Sequence, residues 1–178
     1  MKTTVLVFHP NWDQSRVNKT LASGLDQQIE IRNMYQLYPD FKIDVEKEHH
    51  VLEAADRIVL QFPMYWYSSP ALLKQWEDEV LSYGWAYGTD GTALHGKELI
   101  IAVSSGADNY GPDDFVKYTV HELLRPFQAT SRLIGTTYIK PFVTIGAVHL
   151  TDEQLNHQAQ RYNDYLLSDH LETLGDFE

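Results

Sequence analysis

The feature that most constrains the fold is a regular alternation of short apolar segments with segments that have the periodicity of amphipathic helices. Five β-branched or aliphatic segments of strand length lie near residues 3, 30, 57, 98 and 138. Segments with apolar residues at three- and four-residue spacing lie near residues 15, 44, 70, 113 and 151. This alternation predicts a doubly wound α/β protein, with helices on both faces of a parallel sheet. With five strands, the natural strand order is 2-1-3-4-5.

Composition narrows the class of protein further. The chain has 178 residues, of which 43% are apolar, without a strong internal shift in composition, so we expect a single domain over residues 1–178. It has no cysteine, which excludes disulfides and thiolate metal sites and agrees with a reducing, cytoplasmic setting. The net charge of −11 argues against a nucleic-acid partner, and we interpret it as a contribution to solubility. No apolar run approaches the roughly 20 residues that span a bilayer, and the apolar part of the N-terminus is too short for a signal peptide.

The segment Gln61–Tyr87 combines the end of a strand, an aromatic loop and a helix. Pro63 ends the apolar run that begins at Arg57, and an N-cap at Ser69 followed by Pro70 predicts the start of the helix. The predicted buried face of this helix consists of Leu72, Leu73, Trp76 and Val80. In an open α/β sheet the loop between them lies at the carboxyl edge, where ligands bind.

Three segments are expected to meet at that edge, because strands one, three and four are neighbours in the predicted order. They are His9–Asn18, Met64–Tyr67 and Ser104–Ala107. Ser15, Arg16 and Asn18 fall in the first turn of a helix, where unpaired N–H groups favour an anion. Taken alone, Ser15 as a simple cap and Arg16 as a solvated charge are the favoured alternative. The motifs GxGxxG and GxxxxGK[ST] are both missing here, so we expect neither a dinucleotide fingerprint nor a P-loop.

This combination suits flavin mononucleotide (FMN), with its phosphate at Ser15–Asn18 and its ring lying across Met64–Tyr67 toward Ser104–Ala107. Backbone N–H groups around Ser105–Ala107 are expected to stabilise the negative charge of the reduced ring. The predicted cofactor-binding residues are His9, Ser15, Arg16, Val17, Asn18, Met64, Tyr65, Trp66, Tyr67, Ser104, Ser105, Gly106 and Ala107. No metal site is expected, since His49 and His50 lie about 100° apart on a predicted helix and are interpreted as surface residues.

The remaining segments give further expectations. The glycine-rich loop 84–97 carries Trp85 and Tyr87, which predict a substrate pocket or a dimer contact, or both. A helix is expected at Asp113–Arg125, kinked or ended by Pro126. The fifth strand region, 136–148, is interrupted at Pro141. A capping box at 151–154 opens the last helix, and the last residues are expected to fray.

Several motifs resemble the NAD(P)H:quinone oxidoreductase family of flavodoxin-like proteins, and the small bacterial members above all. These include general-stress reductases and ancillary oxidoreductases of glutathione-gated potassium efflux systems. The motifs are HP at 9–10, S-x-x-N at 15–18, LYPDF at 37–41, FPMYWYSSPALLKQWEDEVL at 62–81, GWAYG at 84–88 and GTALHGK at 91–97. The resemblance implies a flavodoxin-like three-layer sandwich with a five-stranded parallel sheet. It also implies a homodimer with FMN, or FAD in longer relatives, and alternating binding of nicotinamide and quinone over the flavin.

Position by position, the resemblance implies phosphate and ribityl contacts at His9 and Ser15–Asn18 and ring contacts at Met64–Tyr67. The turn written T-T-G-G in the family is S-S-G-A here, with Ala107 in place of the second glycine. Tyr110 lies where some relatives have a tyrosine proposed to relay a proton.

The leading functional hypothesis is a reductase that transfers a hydride from NAD(P)H through FMN to a quinone or nitroaromatic acceptor. One alternative is a flavodoxin-type electron carrier, which the acidic charge fits. Another is a regulatory flavoprotein that docks on a membrane transporter. A hydrolase is disfavoured because the G-x-S-x-G motif is missing. No basic pair that would select NADPH over NADH can be assigned.

Overall fold

A computed structural model describes residues 1–175 and contains a parallel sheet with helices on both faces. The strands are β1 (Thr3–Val7), β2 (Glu30–Asn33), β3 (Arg57–Pro63), β4 (Glu98–Ser104), β5 (Thr137–Tyr138) and β6 (Phe142–Thr144). The α-helices are α1 (Val17–Ser23), α2 (Met34–Leu37), α3 (Val45–Ala54), α4 (Ala71–Val80), α5 (Val120–Leu123), α6 (Arg125–Leu133) and α7 (Asp152–Leu167), and a 3-10 turn covers Trp12–Gln14.

The strand order is β2-β1-β3-β4-β5, and β6 also pairs with β4. All of these pairings are parallel. The predicted flavodoxin-like order is therefore confirmed. The interruption between β5 and β6 falls at Pro141, as predicted, since proline has no N–H to donate to the ladder.

Alternating side chains of β3 divide the interior into two cores. Ile58, Leu60 and Phe62 belong to the larger apolar cluster, which also contains residues of α3 and α4. Val59 belongs to the second cluster, with residues of α1 and α7. Gln61 lies on the same face as Val59, so its amide is buried between α1 and α7 close to the carboxyl edge of the sheet.

The helix predicted at Asp113–Arg125 is wrong over most of its length. Helix α5 begins only at Val120, behind a capping box formed by Thr119 and Glu122. Pro126 lies in the first turn of α6, where the missing N–H has no intrahelical acceptor to lose, so it helps to begin a helix instead of ending one. Phe115, in the irregular segment before α5, is 83% exposed.

The interpretation of His49 as a surface residue is also wrong, whereas His50 is exposed as predicted. The Nε2 atom of His49 lies 2.8 Å from the carbonyl oxygen of Val80 at the end of α4. Its ring stacks on Trp85, with centroids 3.6 Å apart and planes at 10°. The sequence pattern missed this contact because α3 and α4 are brought together only by packing on the sheet.

Smaller differences concern the ends of elements. Helix α1 begins at Val17, two residues after the predicted start, and the N-cap of α4 is Pro70, one residue after Ser69. The capping box at Thr151 is present. The expectation of fraying falls partly on residues 176–178, which lie outside the described residues. Among residues 1–175, no helix is long and apolar enough to cross a membrane.

Candidate functional site

The segments after β3 and β4 meet at the carboxyl edge through backbone hydrogen bonds. The Met64 N–H donates to the Ser104 carbonyl oxygen at 2.7 Å. The Ser105 N–H donates to the Thr144 carbonyl oxygen at 2.9 Å. Since β1 lies directly beside β3, the loop after β1 opens onto the same edge. This geometry explains why residues far apart in sequence form one surface.

A buried polar network lies below this surface. The Tyr162 hydroxyl lies 3.2 Å from Gln61 Oε1, and Gln61 Nε2 lies 2.9 Å from the Asn18 carbonyl oxygen. Asn18 Nδ2 lies 2.8 Å from Ser104 Oγ. The network thus connects α7, β3, α1 and β4. All four side chains are buried, and burial raises the pKa of Tyr162, so its hydroxyl remains protonated.

His9 lies at the end of β1 as a neutral donor. Burial lowers the pKa of His9 below its ordinary value, so the ring is uncharged at pH 7. The backbone N–H of Asn11 lies 3.1 Å from His9 Nδ1, which therefore acts as the acceptor. The proton of the neutral ring is then on Nε2, where it can be donated to a ligand.

The other predicted anion-binding residues differ in their availability. Ser15 and Asn18 are buried beside the edge. The Arg16 guanidinium lies on the start of α7, 2.7 Å from the Leu150 carbonyl oxygen and 2.8 Å from Asp152 Oδ1. Its charge is therefore partly neutralised within the chain. Val17 packs against the second apolar cluster, which leaves only its backbone for a ligand.

The loop after β3 contains a strained aromatic turn. Tyr65 and Ser68 exchange both backbone hydrogen bonds, so Trp66 and Tyr67 are the two central residues of a tight turn. Both have positive φ angles, 49° for Trp66 and 61° for Tyr67. This is the pattern of a type I′ turn, in which large side chains are disfavoured. Trp66 is nevertheless 94% exposed, which points to a role in ligand contact because the turn gains no packing from its indole.

The turn after β4 has fewer free donors than the sequence predicts. The Ser105 N–H is used within the chain, by Thr144. Within residues 1–175, the N–H groups of Gly106 and Ala107 form no hydrogen bond. These two groups are therefore the donors that a ligand can use, and Ala107 in place of glycine does not prevent this turn from forming.

Tyr110 joins the loop after β4 to the end of β3. Its hydroxyl lies 2.6 Å from Ser105 Oγ and 3.6 Å from Met64 Sδ. It is half-buried at the edge. This geometry keeps the phenol next to the predicted ring site, although neither neighbouring side chain is an acid or base at neutral pH.

Trp85 and Tyr87 do not lie at this edge within one chain, and their assignment to a substrate pocket stays a prediction. Helix α4 starts at the carboxyl edge and crosses back, so the loop that follows it lies at the amino edge of the sheet. Accordingly, Trp85 Nε1 lies 2.8 Å from Glu53 Oε1, shortly before β3 begins. Tyr87 lines a groove between α4 and α6. The alternative prediction, a dimer contact, stays open for both.

Sequence reasoning missed two members of the buried network, Gln61 and Tyr162, and the exposure of Phe115. A glutamine inside the otherwise apolar run R-I-V-L-Q-F was the available signal for the buried network. Tyr162 lies on the buried face of α7, where apolar periodicity gives no hint of a hydroxyl partner. Phe115 fell on a helix that does not form.

The fold and this edge define an α/β protein with a candidate ligand site, formed by neutral donors and exposed aromatic rings where β1 and β3 lie side by side. The chain belongs to the family described as having a flavodoxin-like fold, whose sequence profile matches residues 1–166.

Three similar proteins illustrate the family. The uncharacterized NAD(P)H oxidoreductase YrkL of Bacillus subtilis is 52% identical over 174 residues, covering 96% of this chain and 100% of YrkL. The glutathione-regulated potassium-efflux system ancillary protein KefF of Klebsiella aerogenes is 43% identical over 171 residues, covering 92% of this chain and 93% of KefF. General stress protein 14 from Treponema denticola, whose crystal structure is in complex with FMN, is 39% identical in sequence. The two structures superpose with a TM-score of 0.87, covering 93% of this chain and 98% of the stress protein chain.

Proposed function

We propose that this protein is an FMN-dependent NAD(P)H:quinone oxidoreductase that uses a quinone or a nitroaromatic compound as acceptor. The observation that carries the proposal is the exposed indole of Trp66, held on a strained turn at the same edge of the sheet as the buried neutral side chains of Asn18 and Ser104. A planar, uncharged ring system with a phosphate tail matches this combination of aromatic and donor groups. The names of YrkL and of the FMN-bound stress protein support the same class of function.

The residues at the edge fit FMN. His9 Nε2, the Asn18 side chain and the first-turn N–H groups of α1 supply donors for the phosphate and ribityl chain. The turn at Trp66 would supply an aromatic contact to the ring. The N–H groups of Gly106 and Ala107 supply donors for the carbonyl edge of the ring. Arg16 contributes less than the sequence suggests, because Asp152 and Leu150 already hold its guanidinium.

A flavin held by these residues would supply the hydride chemistry between NAD(P)H and the acceptor. The chain's own residues bind and orient. Backbone N–H groups stabilise negative charge at the edge of the ring without any titrating acid. The rings of Tyr65 and Trp66 offer flat surfaces for planar substrates, and the Tyr110 hydroxyl is held by Ser105 Oγ and Met64 Sδ.

Location and assembly are part of the proposal. We place the protein in the cytoplasm, as a homodimer that contacts its partner through the groove between α4 and α6. Tyr87 and Leu133 line this groove, and Leu133 is exposed in the single chain. In this arrangement the aromatic loop after α4 takes part in assembly, and the carboxyl edge of the sheet remains accessible to substrates.

A second candidate function is a regulatory flavoprotein subunit of a potassium efflux system. The similarity to KefF favours it. Both functions use the same flavin site, so the distinction lies in the partner and not in the edge residues. Copurification with a membrane transporter would favour this second function.

The test is an absorbance titration of the purified protein with FMN, followed by anaerobic NADH or NADPH and then menadione. We expect bound flavin to bleach with the nucleotide and to recover with the quinone, and the faster nucleotide is then identified as well. Flavin that binds but stays oxidised would favour an electron carrier or a sensor. Failure to bind any flavin would refute the site.

A further inference from the structure

We infer that Gln61 is a positioning residue that fixes Asn18 and Ser104 for the ligand; this inference rests on the proposed function. Gln61 is fully buried on β3, on the same face as Val59, which packs in an apolar cluster. Apolar packing alone would not require a glutamine at this position. A buried amide is costly unless all its groups are paired. Here both ends of the amide are paired, and on different elements.

The donor and acceptor roles in this network follow from chemistry. A main-chain carbonyl can only accept, so the Gln61 atom that lies 2.9 Å from the Asn18 carbonyl oxygen must be nitrogen. Gln61 Oε1 then faces the Tyr162 hydroxyl, which donates to it. The direction of the Gln61 amide is thus determined by its two neighbours.

The same logic extends to Asn18 and Ser104. Gln61 Nε2 also lies 3.3 Å from an Asn18 side-chain atom, which must be the acceptor Oδ1. Asn18 Nδ2 is then turned toward Ser104 Oγ and donates to it at 2.8 Å. Because the Ser104 oxygen accepts this bond, its own hydrogen remains to be donated to another acceptor, which a bound ligand can supply.

The network therefore sets which groups of Asn18 and Ser104 can act as donors at the carboxyl edge. It has no titratable member at neutral pH, so it orients the site without adding charge. Tyr162, on α7, anchors the far end of the network. Gln61 reaches the ligand only through Asn18 and Ser104, which makes it a positioning residue and not a catalytic one.

The test compares affinities for FMN and riboflavin, which lacks the phosphate, in the variants Gln61→Met and Tyr162→Phe. Methionine has nearly the volume of glutamine but cannot hold Asn18. Since Asn18 belongs to the proposed phosphate segment, we expect Gln61→Met to lose about tenfold in FMN affinity, as for one or two hydrogen bonds. Riboflavin affinity should change less than about threefold. Tyr162→Phe should shift the same ratio in the same direction by a smaller factor.

The matched control is Gln128→Met. Gln128, on α6, is also a buried glutamine, and its Nε2 donates to the Gly175 carbonyl oxygen, outside the network of Gln61. This variant should leave the ratio of FMN to riboflavin affinity unchanged. It therefore measures how the loss of a buried amide outside the network affects flavin affinity.

The outcomes separate this inference from the proposed function. If the wild-type protein binds no FMN, both are wrong. If it binds FMN and both network variants keep the wild-type affinity ratio, only the role of Gln61 is refuted. Should Gln61→Met fail to fold, Tyr162→Phe decides alone, because it removes a single hydroxyl and keeps the ring.

Discussion

Trp66 and Trp85 belong to two aromatic loops that look alike in the sequence, yet the structure uses them in opposite ways. Trp66 is 94% exposed and lies on a backbone with positive φ. Trp85 stacks on His49 and its indole N–H donates to Glu53. An exposed ring on a strained backbone indicates a role in binding. A ring that is stacked and hydrogen-bonded within the chain indicates a structural role.

The largest expected effect comes from Trp85→Ala, which tests the structural half of the comparison. The substitution removes the stacked pair with His49 and the hydrogen bond to Glu53, so we expect the free energy of unfolding to fall by about 2–3 kcal/mol. Urea denaturation measures this loss. FMN affinity of the folded fraction should stay within about twofold of wild type, since a stability change at the amino edge leaves the ligand contacts intact. A large loss of FMN affinity at wild-type stability would reverse the assignment.

The next largest effect is expected for Glu77, which lies on α4, the helix that connects the two loops. Burial raises the pKa of Glu77 to about 7 in the groove between α4 and α6. Its ordinary pKa is 4.5, so the folded state binds more protons than the unfolded state between these values, and stability falls as pH rises from about 4.5 to 7.

The variant Glu77→Gln should remove this part of the pH dependence. At pH 8 it should be more stable than wild type by an amount on the order of 1–2 kcal/mol, and at pH 4 the two should be close. Chemical denaturation at both pH values measures the difference. Glu79→Gln is the matched control, because Glu79 lies on the same helix and is exposed. Equal slopes for Glu77→Gln and wild type would contradict the effect of burial.

Trp66→Ala tests the binding half of the comparison and should act on the ligand instead of the fold. We expect the free energy of unfolding without flavin to change by less than about 0.5 kcal/mol, because the exposed indole has little packing to lose. FMN affinity should fall by about tenfold, as for the loss of a stacked ring, and turnover with menadione should fall with it.

Trp66→Phe is the matched control, since it keeps a ring at the same turn. It should retain most of the affinity that Trp66→Ala loses. Unchanged FMN content and kinetics in Trp66→Ala would remove this residue from the site.

The same contrast shows how far sequence reasoning reached. The strand order and the meeting of three loops were predictable, because apolar periodicity is local and parallel strands place their carboxyl ends on one edge. The role of Gln61 was not, since its partners Asn18 and Tyr162 are 43 and 101 residues away in sequence. The failed helix at Asp113–Arg125 had suitable apolar spacing, but the capping box at Thr119 begins the helix later.

The smallest effect concerns the neighbours His49 and His50 and refines the structural half of the comparison. His49→Ala should lower the free energy of unfolding by about 1 kcal/mol, because the ring loses its stack on Trp85 and its contact with the Val80 carbonyl oxygen. His50→Ala should change stability by less than about 0.5 kcal/mol, since His50 is exposed. A double-mutant cycle between His49 and Trp85 should give a coupling of about 0.5–1.5 kcal/mol. A coupling near zero would mean that the two stacked rings stabilise the fold independently of each other, and the structural role of Trp85 would then rest on its hydrogen bond to Glu53.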